Sequence, residues 1–324
     1  MSAAEPIRLR MVVPPAPWTG AIADGGVGIP GVEWDCSATI DHAPDRFVAT
    51  KELDVGENGL RRLALDVLAG ASPVGIPVFF GREHMQRNII VRGDSAIARP
   101  QDLAGKKVGS RLTIVSGTVA GVMLMLEQGY DVRLADVIWH CGAPGKLPDN
   151  RLGLTLKPGA ETDEENFKLL LGGKLDAVVV TTGPRYWSLF GGAREDEVLA
   201  GFPGLRPLIH DPETIAQVYR RTGLYPITDT GVVVADLLKR DASLPRKLVE
   251  AFSRANDLAP KYRSREEEQL ARRELELLGE NPHRYGLGEN QRKNIAAFLN
   301  LLARMGALPT YIEPEQLFVQ ETKN

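Results

Sequence analysis

Cysteine is scarce: 324 residues carry two, Cys36 and Cys141, far apart in the chain. Two thiols cannot build the disulfide framework of a small secreted domain, so two reduced thiols are the simpler reading, with a single bridge left open. There is no long basic run. The formal net charge is −3 and both signs are scattered, which removes the electrostatic footprint of a nucleic-acid-binding protein. No stretch approaches the roughly 20 apolar residues of a membrane span. The opening Met-Ser-Ala-Ala-Glu-Pro-Ile-Arg-Leu-Arg has neither the basic start nor the apolar run of a secretory signal. The expected location is therefore cytoplasmic. Repeats and low-complexity tracts are absent. His140 and Cys141 adjoin each other, but no further ligand follows at zinc spacing, so no metal is expected. The glycines at 25, 26, 28 and 31 do not link a strand to a helix in the order of a dinucleotide fingerprint. With no phosphate-binding loop and no nucleophile elbow either, no cofactor is expected.

What is present suits a globular protein with a real core: 43% hydrophobic and 25% charged residues. Short apolar runs alternate with longer amphipathic segments. Strands are expected at Leu9–Val13, Val32–Ile40, Leu53–Val55, Gly75–Phe80, Asn88–Arg92, Val137–His140, Leu175–Val180 and Thr230–Ala235. Helical spacing marks Leu60–Leu68, Val119–Glu127, Glu164–Leu171 and Asn290–Met305, and Arg265–Leu278 reads as a charged, solvated helix. Strands separated by helices give an α/β fold with mainly parallel sheets.

Four stretches carry a resemblance. They are Leu53-Asp54-Val55-Gly56-Glu57; Ile76-Pro77-Val78-Phe79 leading to Ile89-Ile90-Val91-Arg92; Arg99 to Gly109; and Tyr219-Arg220-Arg221-Thr222-Gly223-Leu224-Tyr225-Pro226-Ile227. With the tail Asn281 to Leu287, they resemble the 4,5-dihydroxyphthalate decarboxylase family and its substrate-binding-protein-like relatives, from about Leu53 to about Phe318. The resemblance implies a two-lobed type II periplasmic-binding-protein-like fold with the ligand cleft between the lobes. The first lobe would be discontinuous, residues 1–99 with 224–324, and the second would be 100–223. The implied activity is cofactor-independent decarboxylation of a hydroxylated, phthalate-like aromatic acid, by ring protonation and loss of CO2. The alternative is a non-catalytic small-anion-binding protein, a transporter receptor or sensor. Either way the partner is a small aromatic carboxylate; self-association is left open.

Strand ends supply the candidate residues, because ligands of open α/β sheets bind there. Glu57 matches an acidic position in the related sequences and is the candidate proton donor, read as standing at a loop-to-helix junction. Arg82, His84 and Arg87 follow a buried strand; Arg82 offers a fork to a carboxylate. His84 is displaced from the related Arg-His pair, which falls near Met85-Gln86; His84 or Asp229 would be the partner of the acid. Thr113, Ser116 and Thr118 precede an apolar helix whose amino end would hold an anion, although capping alone also explains them. Arg185 and Tyr186 follow the Leu175–Val180 strand and would clamp a carboxylate and flank a ring, with Trp187 beside them. Relatives read Pro-Ile-Met-His where this chain has Pro226-Ile227-Thr228-Asp229, so Asp229 replaces a histidine suited to proton transfer near neutral pH.

Overall fold

The computed structural model describes residues 5–39, 52–71, 73–142, 147, 149–180, 189–190 and 199–319. Strands β1 (Ile7–Val13), β2 (Val32–Ala38), β3 (Val55–Gly59) and β4 (Val74–Arg82) come first. Then follow β5 (Ile89–Arg92), β6 (Lys107–Ser110), β7 (Ile138–Cys141), β8 (Thr155–Pro158), β9 (Ala177–Val179) and β10 (Leu205–Pro207), and β11 (Ile227–Val233) ends the series. They form two sheets, one in the order β2-β1-β3-β11-β4 and the other β10-β5-β9-β6-β7-β8. In the first sheet β1 runs parallel to β2 and β3, while β11 lies antiparallel between β3 and β4. In the second, β6 is parallel to β7 and β9, and β5 is antiparallel to β9.

The chain thus crosses from one sheet to the other twice, once between Arg82 and Ile89 and once between Pro207 and Ile227. This is the two-lobed α/β arrangement with two crossings that the sequence leads one to expect. The apolar run Ala177 to Val179 forms a strand enclosed on both faces, as a central strand of a covered sheet requires.

Helices α1 (Gly20–Ala23), α2 (Leu60–Leu68), α3 (Gly117–Leu124), α4 (Asp163–Leu171), α5 (Pro212–Thr222), α6 (Leu244–Asp257), α7 (Arg265–Leu278), α8 (Glu289–Met305) and α9 (Pro314–Leu317) cover the sheets. Helix α3 matters most. Its residues Val119, Ala120, Val122, Met123 and Leu124 are all fully enclosed, so it is apolar all round, the mark of a helix held inside a protein. It packs on α8 and β11 from the first sheet's side, and one continuous core joins Phe79, Val232 and Phe298 to Val108, Trp139 and Val179. A second core, from Leu9, Met11, Val13, Phe80 and Phe252, lies on the other face of the first sheet.

Three local expectations change. The strand expected at Leu53–Val55 instead starts at Val55 and runs to Gly59, because its ladder with β11 continues to the pair Asp229 and Gly59. Glu57 therefore sits inside a strand and not at a loop-to-helix junction. The helix expected over Val119–Glu127 starts earlier, at Gly117, and ends in one wide π turn, Met125–Gly129. Helix α7 is not solvated throughout: Glu274 and Leu278 are buried. Cys36 and Cys141 are free thiols on different sheets.

Candidate functional site

The carboxyl ends of β3 and β4, the first residues of β11 and the amino end of α3 meet in one place. Asp229 marks it. A Cβ on Gly59 would lie 3.5 Å from Asp229 Oδ1, and one on Gly117 would lie 3.8 Å from Asp229 Oδ2. A Cβ on Gly81 would collide with the same carboxylate. Three backbones close around this side chain because none of the three residues has a side chain of its own. The ladder between β4 and β11 is irregular on both sides of Asp229, and such bulges re-aim side chains at functional sites. Thr228 is buried, and its hydroxyl donates to Asp229 Oδ2 at 2.6 Å.

At the amino end of α3, Ser116 is the cap. Its Oγ accepts from the Val119 N–H at 3.3 Å, and its own N–H donates to the Thr113 carbonyl at 3.1 Å. Among the described residues nothing accepts from the N–H of Gly117 or Thr118. The structure thus brings Thr113, Ser116 and Thr118, expected as an anion-holding turn, to the same place as Asp229. All three are half-buried. Glu57 lies on the neighbouring strand, paired across the ladder with Gly231.

Glu83, missed in the sequence, completes this group. Its carboxylate accepts from Asn88 Nδ2 at 3.1 Å. Burial pushes the Glu83 carboxyl up to about 7; the Asn88 bond opposes this and the charge of Asp229 adds to it. Among the described residues no Lys, Arg or His forms an ion pair with Glu83 or Asp229. The Asn88 amide is 1% exposed, and its Oδ1 has no partner. Asn58, between Glu57 and Gly59, is equally enclosed, with both amide atoms unpartnered. Buried polar atoms are normally bonded, so the unpartnered Asn88 Oδ1 beside Glu83, at the junction of the two sheets, makes this a candidate site.

Arg82 and His84, expected at the ligand, are bonded within the protein. Both flank Glu83 in sequence. Arg82 is buried, donates from Nη1 to the Pro282 carbonyl and lies 4.8 Å above the Phe79 ring. Burial brings its guanidinium down to about 10. His84 Nε2 lies 2.8 Å from Glu274 Oε1, and its ring meets Tyr225 edge-on at 4.6 Å. His283 continues the cluster, 5.6 Å from Tyr225 and stacked at 5.8 Å on Trp18. Its imidazole is driven down to about 4, mainly by burial, with Glu274 pulling the other way. Arg87 donates to the carbonyls of Leu189 and His210, pinning one crossing to neighbouring segments. Side chains alternate along an extended segment, so residues 82 and 84 face one way and residue 83 the other, but which way each faces is set by the fold. Arg185 and Tyr186 lie outside the described residues. Among the described residues no group of three or more His, Cys, Asp or Glu side chains is placed to hold a metal ion.

Comparison with solved structures now becomes informative. The periplasmic aliphatic sulphonate binding protein SsuA from Escherichia coli matches with a TM-score of 0.57 at 15% identity, over 98% of this chain and 94% of that one. The alkanesulfonate-binding protein SsuA from Xanthomonas axonopodis pv. citri, bound to MOPS, matches with a TM-score of 0.53 at 14% identity, over 98% of this chain and 100% of that one. The fold is that of the periplasmic binding proteins. A variant of DszB in complex with biphenyl-2-sulfinic acid also matches, with a TM-score of 0.50 at 16% identity, over 97% of this chain and 96% of that one. No protein-family model and no curated protein matches the chain, so the decarboxylase resemblance gains no support from either. The expected cytoplasmic location is corrected: binding proteins sharing this fold over nearly the whole chain are described as periplasmic. Among the described residues no helix is long and apolar enough to cross a membrane.

The cradle around Asp229 yields a direct test. Gly81→Ala places a methyl group where the carboxylate sits and forces Asp229 away from α3. We expect at least a tenfold loss of ligand affinity by titration calorimetry; unchanged affinity would detach Asp229 from the site.

Proposed function

We propose that this chain is a binding protein for a small organic molecule with an anionic end, working as a solute receptor in the periplasm. The observation that carries this is the meeting of the amino end of α3, with its unaccepted N–H groups at Gly117 and Thr118, and the strand ends of the other lobe. A helix amino end presents both free donors and the positive pole of the helix dipole to a sulfonate or carboxylate. The hydroxyls of Thr113, Ser116 and Thr118 surround the same turn. The two lobes, one built on each sheet, would close on the ligand about the crossings at residues 82–89 and 207–227. Proteins of this fold that bind sulfonates support the assignment.

The decarboxylase reading keeps one specific observation in its favour. Glu83 has a carboxyl raised to about 7, and ring protonation needs an acid that still holds its proton near neutrality. Glu83, rather than Glu57, would then deliver the proton.

One experiment separates the two. Purified protein is screened for thermal stabilisation against small alkyl and aryl sulfonates and carboxylates, including 4,5-dihydroxyphthalate, and each stabilising compound is then assayed for CO2 release. Stabilisation without CO2 is expected. CO2 release that Glu83→Gln abolishes would replace the receptor by the enzyme.

A further inference from the structure

We infer that the ligand of this cleft presents, besides its anionic end, a cationic nitrogen that seats against the paired carboxyls of Glu83 and Asp229. This rests on the binding reading above and deepens it to a class of zwitterionic or amino-bearing ligand.

The two carboxyls have unmet hydrogen-bond capacity. The Asp229 carboxylate lies over Gly81, its ladder partner, and Glu83 follows two residues further along the same edge, so the charge of one acts on the other. Their protein donors are neutral: Asn88 Nδ2 for Glu83 and the Thr228 hydroxyl for Asp229. Among the described residues neither carboxyl has a cationic partner. The amide that bonds Glu83 is 1% exposed and keeps its Oδ1 unpartnered, so the unmet hydrogen-bond capacity beside the pair is that of an acceptor. Two carboxyls and a buried amide oxygen together lack N–H donors and positive charge. An ammonium supplies three donors and the charge at once.

Among the described residues, the surrounding elements carry no cation bonded to the pair. Helix α3 has no ionisable side chain from Gly117 to Leu124. On β11 the ionisable neighbour is Asp229 itself, with the buried Tyr225 just before the strand, and on β3 it is Glu57. The adjacent cation, Arg82, is bonded to the Pro282 carbonyl, and His84 is bonded to Glu274. Without ligand, a proton on Glu83 relieves the repulsion between the two carboxyls. A bound ammonium takes over that role and the proton leaves to solvent. Affinity for an amino-bearing ligand therefore rises with pH through the neutral range, where Glu83 ionises.

Matched probes test this: 3-aminopropane-1-sulfonate against propane-1-sulfonate, and 4-aminobutyrate against butyrate, titrated calorimetrically at pH 8 and pH 5.5. At pH 8 the amino compound of each pair should bind at least tenfold more tightly. That advantage should shrink at least threefold at pH 5.5 and disappear in both Glu83→Gln and Asp229→Asn, two variants so that misfolding of one does not decide the matter. Plain anions binding as tightly as their amino partners would overturn the inference and leave the receptor reading standing. An amino advantage that survives both substitutions would also overturn it. Binding by none of the four would count against the receptor reading and the inference together.

Discussion

Replacing His283 by Gln should make stability fall with rising pH between pH 4.5 and 7. Two groups of opposite sign share that window. The folded state holds the His283 imidazole at about 4, against an ordinary value of 6.5. Between those values the unfolded chain binds more protons, so this residue makes the protein less stable as pH falls. In full, a change that large is worth about 3 kcal/mol. The ring is half-buried, and solvent screening reduces the expectation to about 2 kcal/mol. Glu83 does the opposite. Its carboxyl is raised from 4.5 to about 7, so the folded state binds more protons in that range and loses stability as pH rises. It is also half-buried, and about 2 kcal/mol is again the scale after screening. In the natural sequence the two nearly cancel, and stability should be almost flat from pH 4.5 to 7. His283→Gln should leave stability falling with rising pH, and Glu83→Gln should leave it rising. Urea denaturation at half-unit pH intervals reads both slopes. Parallel curves for the two variants would show that neither side chain titrates as its burial requires.

Truncating Glu274 to Ala should cost about 3–4 kcal/mol, the scale of breaking a buried ion pair and leaving one partner behind. Glu274 is 6% exposed on a helix that is largely exposed, and it meets His84, which is 2% exposed. Burial works against the Glu274 carboxylate, but the His84 hydrogen bond and the His84 and His283 charges together hold it below its ordinary range. Glu274→Gln keeps an acceptor for the imidazole and should cost roughly half as much. The denaturation midpoint distinguishes them; equal, small losses would mean that α7 is held by Leu278 and its apolar neighbours alone. The pair ties α7 to the crossing that begins at Glu83, so the same variant should also loosen the site.

The sequence by itself determined the layers. Ala177 to Val179 is uniformly apolar, which specifies a strand covered on both faces, and Gly117 to Leu124 is apolar at every angle, which specifies a helix with no solvent side. Alternation and helical spacing are local properties of the chain, so they survive without knowledge of partners. The turn of Thr113, Ser116 and Thr118 was legible for the same reason, since a helix amino end announces itself by hydroxyl residues just before an apolar run. Tertiary structure decided which charges face each other. Arg82 and His84 are ordinary strand-end cations in sequence. Only the return of residues 282–283 and of α7 shows that they point into a buried cluster, and that Glu83 between them is the residue turned towards Asp229. Asp229 itself reads as a departure from a histidine pattern. Its role depends on Gly59, Gly81 and Gly117, three glycines from separate elements whose bare backbones leave room for one carboxylate. Such a cradle has no sequence period, because the residues that make it are brought together only by the pairing of β3, β11 and β4 and the docking of α3.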